Sequence, residues 1–233
     1  MRIRFLGHAA LSIEVAGKHI VVDPFISPNE LAKDIDIASL EADYILITHA
    51  HQDHIVDVDA IAKRTGATIV SNYEIVTHYG TRGFEGHPMN HGGSWKFDFG
   101  RLTYTNAVHT SSFPDGSYGG QPGGFILETE EGNLYIAGDT ALTMDMKLVP
   151  MQCKIDLAVL PIGDNFTMGV ESAIIAADFV ECKRILGYHY DTFGYIEIDH
   201  KTAIEAFTNA GKDLSLIHIS EPTRPAPLSR MPS

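Results

Sequence analysis

Between Thr48 and His54 the chain reads "THAHQDH", and four of those seven side chains, His49, His51, Asp53 and His54, are of types that bind metal ions. Imidazole and carboxylate donors without a thiolate suit Zn²⁺, and also Mn²⁺ or Fe²⁺. A structural zinc would want four ligands closing a tetrahedron, most often with cysteine among them. Histidines two apart, followed by Asp and His in succession, cannot all lie on one face of a helix or strand. They can all point inward from a tight loop at the carboxyl end of a buried strand, where ligands collect in open α/β sheets.

Three further donors close other strand-like segments: His109 ends "YTNAVHT", Asp139 lies in "LYIAGDT" and His189 in "ILGYHYDT". Seven such side chains exceed the needs of one ion. They fit a two-ion arrangement in which three histidines hold one ion, Asp-His-His the other, and a carboxylate bridges.

The elements that must position these groups are legible as short patterns. "IRFLG", "LSIEVAG" and "HIVVDP" read as strands of a meander broken by Gly and Pro. "DYILIT", an apolar run ending at the His cluster, reads as a strand buried on both faces. Residues 56–64 show helical spacing with Gly66 as the stop, "ATIVSN" is another strand, and "YEIVTHYG" a short helix. The second half repeats the style. "WKFDFG" and "LTYTNAVHT" flank a turn at Gly100-Arg101, and "GFILETEEGNLYIAGDT" is a hairpin. "IDLAVLPIGD" and "RILGYHYDT" are strands, while residues 171–182 and "HKTAIEAFTNAG" are helices. Two β-rich halves, each with strands followed by helices, predict an α/β fold, a four-layer αββα sandwich.

Composition narrows the partners. The 233 residues carry a formal net charge of -13, with Lys+Arg 17 against Asp+Glu 30 and no basic run, so nucleic acid is not an expected partner. No stretch approaches a membrane span, and the amino terminus lacks a signal-peptide pattern. Cys153 and Cys182 stand in no CxxC spacing and fit reduced thiols in a cytoplasmic protein.

At this point a resemblance can be stated. "THAHQDH" with His109, "AGDT" and His189 resembles the metallo-β-lactamase superfamily of hydrolases. The wider chain is most similar to an uncharacterised bacterial and archaeal metal-dependent hydrolase family within it. "LGHAALSIE", "VVDPFISPN", "FDFGRLTYTNAVHTSS", "LPIGDNFTMG" and "HYDTF" carry that closer match, from residue 6 to about 193. The resemblance implies His49, His51 and His109 at a first metal, Asp53, His54 and His189 at a second, and Asp139 as the bridge. Flavodiiron-type reductases of this fold resemble a pattern with Glu where His51 stands, which disfavours a redox role. True lactamases differ after the Asp, where this chain has His54.

The chemistry expected of this ligand set is hydrolysis. Two ions about 3.5–4 Å apart share a water and lower its pKa from ~15.7 toward neutrality, giving a bridging hydroxide. Asp53 orients it, and the metals stabilise charge on the attacked oxygen. No side-chain nucleophile is needed, and no GxSxG-type elbow is present. The expected substrate is a small ester, lactone or phosphodiester. Enzymes implied by the resemblance include lactonases of sugar-acid phosphates and phospholipase D-type enzymes acting on N-acyl lipids. A nuclease of the same fold, or a non-catalytic metal-binding sensor, are the alternatives.

Around the ligands, His8 is a candidate for the pocket, and Asp23 for holding the far ring nitrogen of a metal-bound histidine, or for capping a turn. Asp164, with Asn165, is a candidate pocket residue on a loop that Gly-Asp-Asn alone would also turn. "PDGSYGGQPGG" (114–124) is a lid or a hairpin connector. His19, His78, His87, His91 and His200 lack motif context. Finally, "LSLIHISEPTR" can be encoded by a transposase-type sequencing-library adapter, so the hydrolase domain is expected over 1–213 and a non-native tail over 214–233. "LSLIHIS" nevertheless alternates well enough to stand in for a last strand.

Overall fold

A computed structural model describes residues 1–216 of the chain. Two sheets carry the fold. The first contains β1 (Arg2–Gly7), β2 (Ala10–Val15), β3 (Lys18–Val22), β4 (Tyr44–Leu46), β5 (Thr68–Asn72) and β6 (Gly86–Met89), in spatial order identical to chain order. The first three run antiparallel through tight turns; β3 to β6 are parallel. The second sheet repeats that plan with β7 (Ser94–Phe97), β8 (Gly100–Asn106), β9 (Gly123–Thr129) and β10 (Gly132–Ile136) antiparallel. It then continues parallel through β11 (Leu157–Pro161), β12 (Arg184–Tyr188) and β13 (Asp213–Ser215).

Side-chain alternation assigns the layers. Ile20, Val22, Leu46 and Val70 face the second sheet and share one apolar cluster with Tyr104, Phe125, Leu127 and Leu134. The intervening Val21, Ile45, Ile47 and Ile69 point the other way, into a second cluster with Val58, Ile61 and Ile75. Those last three belong to α2 (Val58–Thr65) and α3 (Tyr73–Gly80), which follow the one-turn α1 (Gln52–Ile55). After the short α4 (Val149–Gln152), α5 (Val170–Phe179) and α6 (His200–Asn209) cover the far face of the second sheet. Ala173, Ala176 and Phe207 are buried there. The αββα sandwich expected from the pattern is the observed fold.

Three differences have physical causes. The helix expected over 56–64 begins at Val58 because the Asp57 carboxylate turns aside to accept from the backbone N–H of Ile26 (2.6 Å) and Ser27 (2.9 Å). The sequence gives no strand signal over Gly86–Met89, which lacks β-branched residues and contains Pro88. It forms at the sheet edge, where a missing N–H is tolerated. The helix expected to reach Cys182 ends at Phe179, and Glu181 takes a left-handed conformation (φ 52°) that terminates it.

Leu214 and Ser215, the start of the expected tail, pair in parallel with Ile185 and Leu186 as the last strand. Residues 217–233 of that expectation lie outside the described residues. Among the described residues no helix is long and apolar enough to cross a membrane.

Candidate metal centre

All seven candidate ligands converge at one end of the two sheets. His49 and His51 lie on the loop after β4, while Asp53 and His54 sit on α1 rather than on the same loop. His109 follows β8, Asp139 follows β10 and His189 follows β12. Thr48 stitches the two halves together here, its carbonyl accepting from Gly123 N–H (3.1 Å) and from the Tyr104 hydroxyl (2.8 Å) of the second sheet.

The strand ends are set by strained backbone. His8, Asp23 and His189 all take left-handed conformations (φ 54°, 42° and 56°), which non-glycine residues rarely adopt. His189 N–H donates to the His8 carbonyl at 2.7 Å, so each loop braces the other. Gly138 (φ 70°) turns the chain just before Asp139, and a Cβ there would meet the Gly123 carbonyl at 2.3 Å.

Two trios of donors result. His49, His51 and His109 form one, with the His49 Nε2 atom 2.9 Å from His51 Nδ1. Asp53, His54 and His189 form the other, with His54 Nε2 3.9 Å and His189 Nε2 3.8 Å from Asp53 Oδ2. Asp139 lies between them. Its Oδ2 is 3.9 Å from His49 Nε2 and 3.6 Å from His109 Nε2 on one side. On the other it is 3.3 Å from His54 Nε2 and 2.9 Å from His189 Nε2.

A single buried carboxylate orients two of these rings. Asp23 Oδ1 accepts from Thr48 N–H (2.8 Å), and Oδ2 accepts from the Thr48 hydroxyl (2.6 Å) and from His54 Nδ1–H (2.9 Å). Because its proton goes to Asp23, the Thr48 hydroxyl accepts from His49 Nδ1–H (3.0 Å). The Nε2 atoms of His49 and His54 are thereby turned toward the centre. The sequence offered Asp23 for this position; it offered no signal for Thr48 as the relay.

His8 is close enough to the second trio to count as a donor, yet both its ring nitrogens already have partners. Nε2 is 3.0 Å from Asp53 Oδ2 and Nδ1 is 2.9 Å from Thr192 Oγ1. Burial, then the neighbouring His189, pushes the His8 pKa down to about 4. The ring is therefore neutral, Nε2–H donating to Asp53 and Nδ1 accepting from the Thr192 hydroxyl. Asp164 is not brought to the centre. It and Asn165 are exposed, with φ of 61° and 51°, and turn a loop that sends Phe166 to the pocket instead.

Electrostatics favour a cation here. Burial holds His49, His51 and His109 below the usual histidine range, leaving neutral imidazoles. Burial also opposes charge on Asp139 and Asp53. The imidazoles of His189 and His54 nevertheless hold Asp139 well below the carboxylate range, and His54 and His8 do the same for Asp53. His54 is the exception among the rings: despite its burial, Asp139, Asp23 and Asp53 raise it well above its ordinary value. In the metal-free chain it carries a proton that a metal ion would replace. His54 Nε2, His189 Nε2 and Asp139 Oδ1 are buried with no hydrogen-bond partner among the described residues. Buried polar atoms are rarely left so, and a metal ion supplies what they lack. The residues present fit a divalent metal.

A cavity of about 540 Å³ opens over the cluster, reaching Asp53, Asp139 and His189 at its floor. The first part of the 114–124 segment lies in a small hairpin closed by the Ser112–Tyr118 bridge and its end enters β9, while Pro114 and Gly116 form part of the cavity wall. The other histidines among the described residues stand apart: His19 pairs with Glu41, His78 stacks on Phe113, His87 packs on Trp95, His91 meets the Pro122 carbonyl and His200 pairs with Asp191.

Residues 2–189 match the family described as the Beta-lactamase superfamily domain. The chain is 66% identical over 221 residues to a UPF0173 metal-dependent hydrolase of Flavobacterium johnsoniae, covering 95% of this chain and 98% of that one. It is also 66% identical over 222 residues to one of Christiangramia forsetii, with the same coverage. Among solved structures it is similar to Igni18, a metallo hydrolase from the archaeon Ignicoccus hospitalis. The TM-score is 0.84 at 32% identity, over 93% of this chain and 94% of that one.

Proposed function

The chain belongs to the metallo-β-lactamase superfamily and is a metal-dependent hydrolase; from that premise we propose that it is a dinuclear one. His49, His51 and His109 would hold one divalent ion, Asp53, His54 and His189 the other, with Asp139 shared. The observation that carries this reading is the position of Asp139 Oδ2, within 3.9 Å of two imidazoles from each trio. An imidazole-rich set without thiolate suits Zn²⁺ first, and Mn²⁺ or Fe²⁺ after it.

When bound, such ions would supply a water of lowered pKa and Lewis acidity toward the oxygen of the scissile group. Asp53 is the catalytic side chain: its carboxylate accepts a hydrogen bond from the attacking water and aims it. His8 holds that carboxylate in place through Nε2–H. Water adds across the scissile bond, so an ester or lactone gives an acid and an alcohol, and a phosphodiester gives a monoester and an alcohol. The substrate class is a small ester, lactone or phosphodiester. Two free thiols accord with a cytoplasmic setting.

Metal analysis of the full chain followed by a hydrolysis screen tests the reading. Two equivalents of metal per chain are expected, with activity lost on chelation and regained with Zn²⁺ or Mn²⁺. One equivalent at saturation, or undiminished turnover in Asp53→Ala, would sink it.

A further inference from the structure

The walls of the cavity carry information that its floor does not. Three loops, one after each of β8, β11 and β12, each bring a phenyl ring to it: Phe113, Phe166 and Phe193. Phe113 is buried and stacked on His78 with centroids 3.8 Å apart, so it is a fixed wall. Phe193 leans on His8 and Phe25, and stays 38% exposed. Phe166 is 51% exposed and rests its edge on Tyr195, itself 78% exposed. Single exposed apolar side chains are ordinary, but Phe166 and Phe193 share one cleft above the cluster, and apolar rings grouped in a cleft line ligand sites.

The polar lining is equally informative. Beyond the cluster itself it consists of uncharged groups, Gln52, Thr110 and Ser112, and among the described residues no Lys or Arg lines the cavity. A site that recognises a carboxylate or phosphate distant from the reacting bond uses a guanidinium or ammonium to do so. Two basic side chains, Arg82 and Lys212, pair away from the cavity with Asp59 and Asp178, and the chain as a whole is strongly acidic.

Resting on the hydrolase reading, we infer that the part of the substrate adjoining the scissile bond is uncharged and apolar, seated on the Phe113, Phe166 and Phe193 rings. This selects neutral esters or lactones with an alkyl or aryl arm over phosphorylated or carboxylated ones. The reaction is unchanged: water adds across the acyl C–O bond, giving a carboxylic acid and an alcohol.

The test uses the full chain loaded with Zn²⁺ or Mn²⁺ and a matched pair of activated esters. One is p-nitrophenyl butyrate; the other is mono-p-nitrophenyl succinate, of similar length but ending in a carboxylate. A kcat/KM about 10-fold or more higher for the butyrate is expected. Phe166→Ala should lower the butyrate-to-acetate ratio of kcat/KM by about 5-fold, and Phe166→Leu should restore most of it. Succinate ester cleaved as fast as butyrate, or a ratio unmoved in both Phe166→Ala and Phe193→Ala, overturns the inference. So does a Phe166→Ala variant whose sedimentation changes while its ratio does not, since the ring then belongs to a protein interface. If no ester is cleaved at all, the hydrolase reading fails separately, and phenylacetamide binding to the metal-free chain by saturation-transfer NMR still reads the rings. A signal that weakens in Phe166→Ala supports the inference; no signal from the unaltered chain overturns it.

Discussion

His54 divides its ring between fold and site, and that division is the clearest residue-scale argument for metal. Nδ1–H is spent on Asp23, itself buried and accepting from Thr48 twice. Nε2 is left facing Asp139 with no hydrogen-bond partner. Replacing Asp23 by Asn would leave one oxygen for three donors and set an amide N–H₂ against at least one of them, loosening the hold on His54 and, through Thr48, on His49. Asp23→Asn should weaken metal binding about 10–100-fold, read by titration against a competing chelator. His8 acts one step further out. Its neutral ring carries no charge to the site, so its contribution is to hold Asp53. His8→Ala should lower kcat about 10-fold or more with metal content maintained, and a variant that instead loses one equivalent of metal would make His8 a ligand. The sequence placed His8 near the pocket but gave no hint of Thr192, 184 residues away, because that contact depends on the loop after β12 folding back.

At the scale of elements, the strands rich in Val, Ile and Leu were legible, because their alternation is the burial pattern itself. Ile45 and Ile47 face the helices while Leu46 faces the other sheet, as a run buried on both sides requires. What the pattern could not supply was decided by tertiary contacts. Asp57 leaves the helix for the backbone of residues 26 and 27, and Gly86–Met89 becomes a strand only because β5 offers an edge. The seven site residues were legible as a set, since motif and strand-end positions marked them; that Asp53 and His54 ride on a helical turn was not. Loops were the least readable, and Asn72 shows why. It caps α3 by accepting from Ile75 N–H (2.9 Å) and donates to the Gly119 (2.9 Å) and Gln121 (3.1 Å) carbonyls. One buried amide thus fixes both a helix start and the hairpin that carries Phe113. Asn72→Ala should destabilise the protein by about 2–4 kcal/mol in urea unfolding. A loss below about 0.5 kcal/mol would mean that the hairpin holds its own place.

The whole molecule is two meander-then-parallel halves whose strand ends meet at one cluster, so stability and metal binding are coupled. In the chelated protein the cluster is a store of pH sensitivity. Folding holds His8 at about 4 and lowers His49, His51 and His109, all chiefly through burial. An unfolded histidine titrates near 6.5, so below that pH the unfolded chain binds protons that these four refuse when folded. Their stability is present above 6.5 and is lost as pH falls toward their folded values. His54, raised well above its ordinary value, works oppositely: its contribution is complete below 6.5 and declines at higher pH, so it offsets nothing further on acidification. Asp139 and Asp53, held far below the carboxylate range, add a loss only when the pH reaches the unfolded carboxylate value near 4. His8 alone corresponds to on the order of 3 kcal/mol once the pH is below about 4. Bound metal would displace the His54 proton, keep the other rings neutral, and add about 2.7 kcal/mol at a free concentration a hundred times its Kd. The chelated chain should therefore show an unfolding temperature that falls steadily from pH 7 to pH 5, while the loaded chain at fixed free metal stays higher throughout. Calorimetry of both forms across that range checks it, and a chelated chain equally stable at pH 5 and pH 7 would show that the four histidines are solvated rather than buried.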